Sequence, residues 1–376
     1  MNQKDRDSLT TLLNQNKEKY QTLSRRIHWT EADSACLDDT PNSKEQREDI
    51  AYRILRITGS KEMVRPLLIP LLAYKAWQRT KAVYSFNREF IDAISRTDDT
   101  EIITPLLECL PFKDMLFFFP EGVLPTIDDE ETAGVYVHVE KHPEHLWINF
   151  NFIDRSLKNG HQIYPGIGFA LPITNGMKIS QIFETEQYYN WLSTYKRTVA
   201  FDRNLNEQEA EECLRAARKV LNVAVNLMYY LSTEKPDIKP IKQHKIPQKT
   251  SAMTKDNTET TIKLHEVGTE YAEIVYRYLK AKTISNEEDD EGNSEEVTVK
   301  NGKVSKRRRP HARRAHWQQY WTGKGRTTPV VHWIPDLFVG ANRDDQATIV
   351  YVERESLKGK RNPNTSKKKQ KKRTHI

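Results

Sequence analysis

Between Arg307 and Trp321 the chain places five Arg, two His, two Trp and one Tyr within fifteen residues. Arg307, Arg308, Arg309, Arg313 and Arg314 carry planar, permanently charged donor forks that match phosphate oxygens. Trp317, Tyr320 and Trp321 offer faces on which unpaired bases or guanidinium planes stack. His311 and His316 add ring nitrogens, and Lys324 and Arg326 continue the positive charge just beyond. Charge interleaved with aromatic faces is the composition that single-stranded RNA or DNA binding requires. These residues form the candidate nucleic-acid-binding set, and contact with several phosphates predicts an affinity that falls steeply with salt.

The same residue types have plainer uses. Large aromatics more often anchor a small domain than face solvent, so at least two of Trp317, Trp321 and Trp333 are expected inside. Arg313 and Arg314 would then serve cation–π contacts or ion pairs with acidic residues elsewhere. His311, His316 or His332 could act as acid or base while arginines clamp phosphate, which is nuclease chemistry. The step from His311 to His316 is not HExxH spacing, and no carboxylate lies nearby in sequence. Neither a metal nor a cofactor is therefore expected, and no catalytic residue is identified. Nucleophile elbow, Walker, dinucleotide and kinase motifs are absent from the sequence. Asp128-Asp129-Glu130-Glu131 reads as a solvated loop after Pro125. Cys36, Cys109 and Cys213 lie far apart without a CxxC partner, which argues for reduced thiols and against a disulfide framework.

Two local structures would position the aromatic run. Thr322-Gly323-Lys324-Gly325 suggests a hairpin pairing 316–321 with 330–334. Alternatively Pro310 opens a helix with Arg314, Trp317 and Trp321 on one face and Gly323 as its stop. The β-prone run Val330–Ile334 favours the hairpin.

Upstream, helical periodicity covers 8–27, then 44–57 behind a Ser43/Gln46 capping pair, then a stretch after Pro66 that carries Leu67, Leu68, Leu71, Leu72, Trp77 and Val83. Prolines 66 and 70 predict an irregular or kinked first turn. Shorter helices fit 87–95 and 101–109, so 1–110 reads as a helical region. Residues 111–234 read as an α+β core. Met115–Phe119, Gly134–Glu140 and His145–Asp154 are strand-like, the last alternating as a half-buried antiparallel strand does. Gln162–Ile173 adds one or two strands, and helices follow at 180–196 and from Glu207 to Leu231, the latter capped by Asn206 and Glu209. Strands followed by helices, without βαβ alternation, predict α+β with a central antiparallel sheet. Residues 235–260 read as a linker with three Pro in 235–257. Residues 261–355 read as a small, basic, strand-rich module. It opens on a strand at 261–267 and, after Gly268, an amphipathic helix carrying Tyr271, Ile274, Val275 and Tyr278. Its acidic loop 286–296 could shield the basic cluster. Residues 356–376 read as a disordered Lys-rich tail.

Of 376 residues, 59 are Lys or Arg and 52 are Asp or Glu, a net charge of +7. Residues 300–376 hold 21 basic against 5 acidic residues, and residues 1–299 hold 38 against 47. The positive excess thus sits in the C-terminal fifth, the footprint of a polyanion-binding segment on an ordinary body. No apolar run reaches the ~20 residues of a membrane span, and no secretory signal is visible, so a cytoplasmic protein is expected.

The run Arg309-Pro310-His311-Ala312-Arg313-Arg314-Ala315-His316-Trp317, then Tyr320-Trp321-Thr322-Gly323, Val331-His332-Trp333-Ile334-Pro335 and Phe338-Val339, resembles a signature of one anti-CRISPR family. It is the second described family of inhibitors of the type V-A CRISPR nuclease, with relatives scattered among phages, plasmids and other mobile elements. Tyr74-Lys75-Ala76-Trp77-Gln78-Arg79-Thr80, Lys235-Pro236-Asp237-Ile238 and Gly268 agree in order and approximate spacing. The acidic insert 286–296 and the tail after 356 look additional, and Gly340 precedes Asn342 where the family tends to place Asn directly after Phe-Val.

The resemblance implies an evader of host defence that lowers production of the nuclease. It would act at the messenger during translation, by recognising the nascent N-terminal peptide. The implied partners are RNA, as mRNA or within the ribosome, and a nascent polypeptide. The peptide-binding residues are unknown, with the aromatic strands of 115–154 as one candidate. The alternatives are an RNA nuclease, with or without metal, and a nucleic-acid-binding repressor of a mobile element, which would need affinity for a specific DNA far above that for random duplex.

Overall fold

Asn2 starts the first helix, its side chain accepting the Asp5 amide at 2.8 Å. The computed structural model describes residues 1–38, 43–61, 63–127, 130–142, 144–155, 168–186, 188–190, 192–193, 206–246, 260–276, 299–300, 303–304, 311–313, 315–335 and 337–339. Helix α1 (Gln3–Arg26) buries Leu9, Leu12, Leu13, Tyr20 and Leu23 on one stripe. A 3-10 turn at Ala32–Leu37, α2 (Ser43–Thr58) and α3 (Val64–Thr80) follow, α3 holding Pro70 inside it. Then come β1 (Ala82–Phe86), α4 (Arg88–Ser95), α5 (Thr104–Glu108), β2 (Asp114–Phe118), β3 (Thr126–Ile127), β4 (Glu130–Lys141), β5 (Leu146–Asp154) and β6 (Gly168–Ile173). The short α6 (Ile179–Ile182) and the long α7 (Glu207–Leu231) precede β7 (Ile238–Ile246) and β8 (Thr260–Val267). The described C-terminal strands are β9 (Val299–Lys300), β10 (Lys303–Val304), β11 (His311–Arg313), β12 (His316–Thr322), β13 (Thr328–Ile334) and β14 (Leu337–Val339).

The fold is α+β. The main sheet runs β6-β5-β4-β2-β1-β8-β7, with β3 paired to β4. It is mixed, not wholly antiparallel: β1 lies parallel to both β2 and β8, while the other pairs are antiparallel. The unit β1–α4–α5–β2 is therefore a βαβ crossover, and residues 1–110 are not all helical. Val83, expected at the end of the third helix, sits in β1. All five residues of β1 are buried, as are all five of β2. A strand buried on both faces lacks the alternation that reveals strands, which is why β1 reads as helix continuation.

Helices cover both faces of the sheet. One face carries Tyr84, Phe86, Phe117, Val137, Phe150 and Phe169 against α4, α5, α6 and α7. The other carries Val83, Leu116, Phe118, Tyr136 and Leu264 against α1, α2 and α3. β2 is thus buried on both faces, whereas Trp147 and Asn149 leave one face of β5 half-exposed, and β2, β4 and β5 each have a paired neighbour on either side. Their edges are thus paired among the described residues, while β5 keeps one partly open face, the half-buried character that its alternation predicts.

Two boundaries also change. The expected linker 235–260 contains β7, which pairs with β8 at the rim of the main sheet. Its Lys239 and Pro240 are edge-strand chemistry, a charge and a proline that discourage further pairing, and the lysines and prolines of the stretch mimic a linker in composition. The chain divides into one unit of Met1–Ala272 with Arg314–Pro335 and a second of Glu273–Arg313 with Asp336–Ile376. β8 and the β12–β13 pair accordingly belong to the first unit, not to a separate 261–355 module. In the second, β9 pairs with β10 and β11 with β14. The acidic loop and the Lys-rich tail lie outside the described residues. Residues 269–276 are helical, and Tyr278 falls beyond them.

One charged network is buried at the edge of the helical layer. His138 on β4 bonds Asp114 of β2 through Nδ1 and Glu140 through Nε2, the latter at 2.9 Å. Glu140 also meets Arg47 of α2 at 3.2 Å and His142 at 3.7 Å. Burial opposes charge on the imidazole, but the two carboxylates outweigh it and lift the His138 pKa to about 9. Burial likewise opposes charge on Glu140, yet His138, Arg47 and His142 hold it at about 2. The imidazolium's contribution to stability is complete below its ordinary value of 6.5 and fades as pH rises through about 9. The Glu140 contribution is complete above 4.5 and fades as pH falls toward about 2. Thermal unfolding across pH should therefore show a plateau between those ordinary values. In His138→Gln the alkaline decline should flatten; an unchanged alkaline limb would assign it to other groups.

Candidate nucleic-acid interface

The aromatic run forms the hairpin and not the helix. β12 and β13 pair antiparallel from His316↔Ile334 through Trp317↔Trp333 to Thr322↔Thr328. The connection needs left-handed backbone at Gly323 and Gly325 (φ 81 and 79), and Arg326 follows at φ 54. Glycine accepts such angles without penalty, so the turn reads directly from Gly-Lys-Gly.

Side chains of odd number along β12 and β13 share one face. At the base that face is fastened to the sheet's helical cover. The Trp317 indole N–H donates to Asn226 Oδ1 on α7 at 3.1 Å, and its ring lies 5.0 Å from Tyr229. The Trp333 indole N–H donates to Thr97 Oγ1 at 3.0 Å, with rings of Phe90 at 5.1 Å and Tyr271 at 5.3 Å. Gln319 donates to Thr100 Oγ1 at 2.9 Å and to the Tyr229 hydroxyl at 3.2 Å. Trp317 is 8% exposed and joins the main core, and Trp333 packs half-buried against it. Two indoles are thus structural, and they make the base of the hairpin rigid.

The tip differs. Trp321 is 54% exposed and Tyr320 39% exposed. Lys324 and Arg326 are exposed at the turn, and neither makes an ion pair among the described residues. Residues 315–335 contain no Asp or Glu. Tyr320 stacks on His332 at 5.3 Å and 16°, its hydroxyl on the His332 Nε2, which stands 4.0 Å from Glu234. His316 is half-buried on the even-numbered face.

Of the expected set, the structure gathers Tyr320, Trp321, Lys324 and Arg326 at one tip and withdraws Trp317 into the core. His311 and Arg313 lie on β11 in the second unit, and Arg307, Arg308, Arg309 and Arg314 fall outside the described residues. No group of three His, Cys, Asp or Glu suited to a metal ion occurs among the described residues. No described helix is long and apolar enough to cross a membrane.

The AcrVA2-like family model, the anti-CRISPR type V subtype A2 family, matches residues 84–341, more than half of the chain. The chain belongs to the AcrVA2-like family. The matched segment begins in β1 and takes in the sheet, α7 and the hairpin, while α1 to α3 precede it. A crystal structure of AcrVA2 is similar to this AcrVA2-like chain at 15% identity and a TM-score of 0.48, covering 89% of this chain and 99% of that one. No curated protein matches it.

The AcrVA2-like hairpin depends on acceptors that sequence reasoning passed over. Asn226 is 3% exposed within the apolar run Val223–Leu231 of α7. A lone amide inside such a stripe needs a partner, and that signal was present in the sequence. Thr97 and Thr100, on the loop after α4, carried none.

Proposed function

We propose that this AcrVA2-like protein lowers expression of a target nuclease by recognising the nascent peptide and engaging its mRNA or the ribosome through the hairpin tip. What supports the reading is the tip itself: an acid-free arm, braced at its base by two indoles, that presents one Trp, one Tyr and two cations without an ion pair among the described residues. Stacking of a base on Trp321 and phosphate contact by Lys324 and Arg326 are the chemistry such an arm performs. Family membership supplies the anti-CRISPR context. The peptide partner is taken from the resemblance, and its residues are unassigned.

Crosslinking the protein in cells that express a type V-A nuclease, then identifying the bound RNA and polypeptide together, tests the reading. In the Trp321→Ala, Lys324→Glu, Arg326→Glu variant, RNA recovery should fall about tenfold or more, since one stacked base alone is worth about 1–3 kcal/mol. Peptide recovery should persist and the melting temperature should hold. RNA recovery equal to wild type would reject the assignment.

A further inference from the structure

A cleft of ≈ 690 Å³ opens beside the base of the hairpin, between α7, α6 and residues 97–99. Two of its lining residues, Asn226 and Thr97, are the acceptors that hold the Trp317 and Trp333 indoles. The Asp98 amide also donates to Ala315 O at 3.0 Å, so cleft and hairpin are continuous. Along the α7 wall stand Arg215, Arg218 and Lys219, spaced i, i+3, i+4 and therefore on one helical face. All three are exposed. Arg218 lies over the Phe183 ring at 5.1 Å, which holds its guanidinium as a flat, charged platform. Three carboxylates share the cleft, but two are already engaged. Asp99 accepts the Ser180 amide at 2.9 Å and hydroxyl at 2.7 Å, and Glu212 stands 3.8 Å from Arg215. That leaves the Asp98 carboxylate against Arg218 and Lys219, which pair with no carboxylate among the described residues.

We propose that this cleft is a second contact site for single-stranded RNA, continuing the path that starts at the hairpin tip. Phosphates sit against Arg218 and Lys219, and an unpaired base stacks on the Arg218–Phe183 platform. The engaged carboxylates and the direct junction with an acid-free hairpin favour RNA over a peptide as occupant. The inference rests on the hairpin's RNA reading and extends it from a tip to a track.

Salt titrations of the full chain with a labelled single-stranded RNA separate the two. For Arg218→Glu with Lys219→Glu, affinity should drop about tenfold or more and the slope of log affinity against log salt should shrink by about 1.4, the loss of two single-strand phosphate contacts. Arg215→Glu should add a smaller loss. All three positions are exposed, so the melting temperature serves as the folding control. If the hairpin-tip variant loses RNA while the α7 variant keeps the wild-type affinity and slope, the track is refuted and the tip stands. The same result is expected of a cleft that holds a peptide instead. If the wild-type chain binds no RNA at any salt, both assignments fail.

Discussion

Trp317→Ala should cost about 3–5 kcal/mol of stability, the usual range for truncating a large buried aromatic. Three losses combine. The indole leaves a cavity in the main core beside Tyr229. Asn226 Oδ1 loses the indole N–H it accepts at 3.1 Å. A buried acceptor without a donor adds about 1–3 kcal/mol by itself. The hairpin also loses one of its two indole tethers, so Tyr320 and Trp321 would no longer be presented on a rigid arm. Urea unfolding of the full chain measures the first effect. Trp317→Phe should fall between wild type and Ala, keeping apolar contact but not the hydrogen bond. Trp321→Ala, on the same strand face, should stay within about 0.5 kcal/mol of wild type because its ring is largely in solvent. Equal costs at 317 and 321 would mean the hairpin is not anchored as described.

Gly268→Ala carries the second large effect. Gly268 follows β8 at φ +78, where a side chain is strained by about 1–2 kcal/mol. A Cβ there would also lie 2.4 Å from Phe90 Cβ and Cγ, far inside contact distance. Phe90 is fully buried and braced by Tyr230 and Trp333, so it cannot step aside without disturbing the hairpin anchor. Overpacking of this kind costs about 1–3 kcal/mol, giving a total near 3 kcal/mol or more. Gly59→Ala isolates the backbone share, since Gly59 has φ +70 with nothing within 4 Å of a Cβ. Thermal unfolding of the two variants should differ by the steric part. Matching melting temperatures would place Phe90 elsewhere.

Several elements were legible because their signals are local. The alternation of 145–154, the Asn206/Glu209 cap of α7 and the glycines of the 316–334 hairpin each depend on neighbours in the chain. β1 and β7 were not legible. β1 is buried on both faces and shows no period, and β7 is a sheet edge whose lysines and proline look like a linker. The parallel pairing of β1 with β8 joins residues some 180 apart, which no local pattern can announce.

The binding site divides in the same way. Sequence alone determined that 316–334 is aromatic and acid-free and favoured a hairpin over a helix; the strand pairing then puts its odd-numbered residues on one face, because strand periodicity is a property of the backbone. Trp317 and Trp321 are chemically identical and stand on that one face. Only the tertiary structure decided that the first is enclosed and the second free. Burial requires a neighbour at the right height, and Asn226 and Tyr229 of α7 meet the hairpin at its base, while its tip runs into solvent.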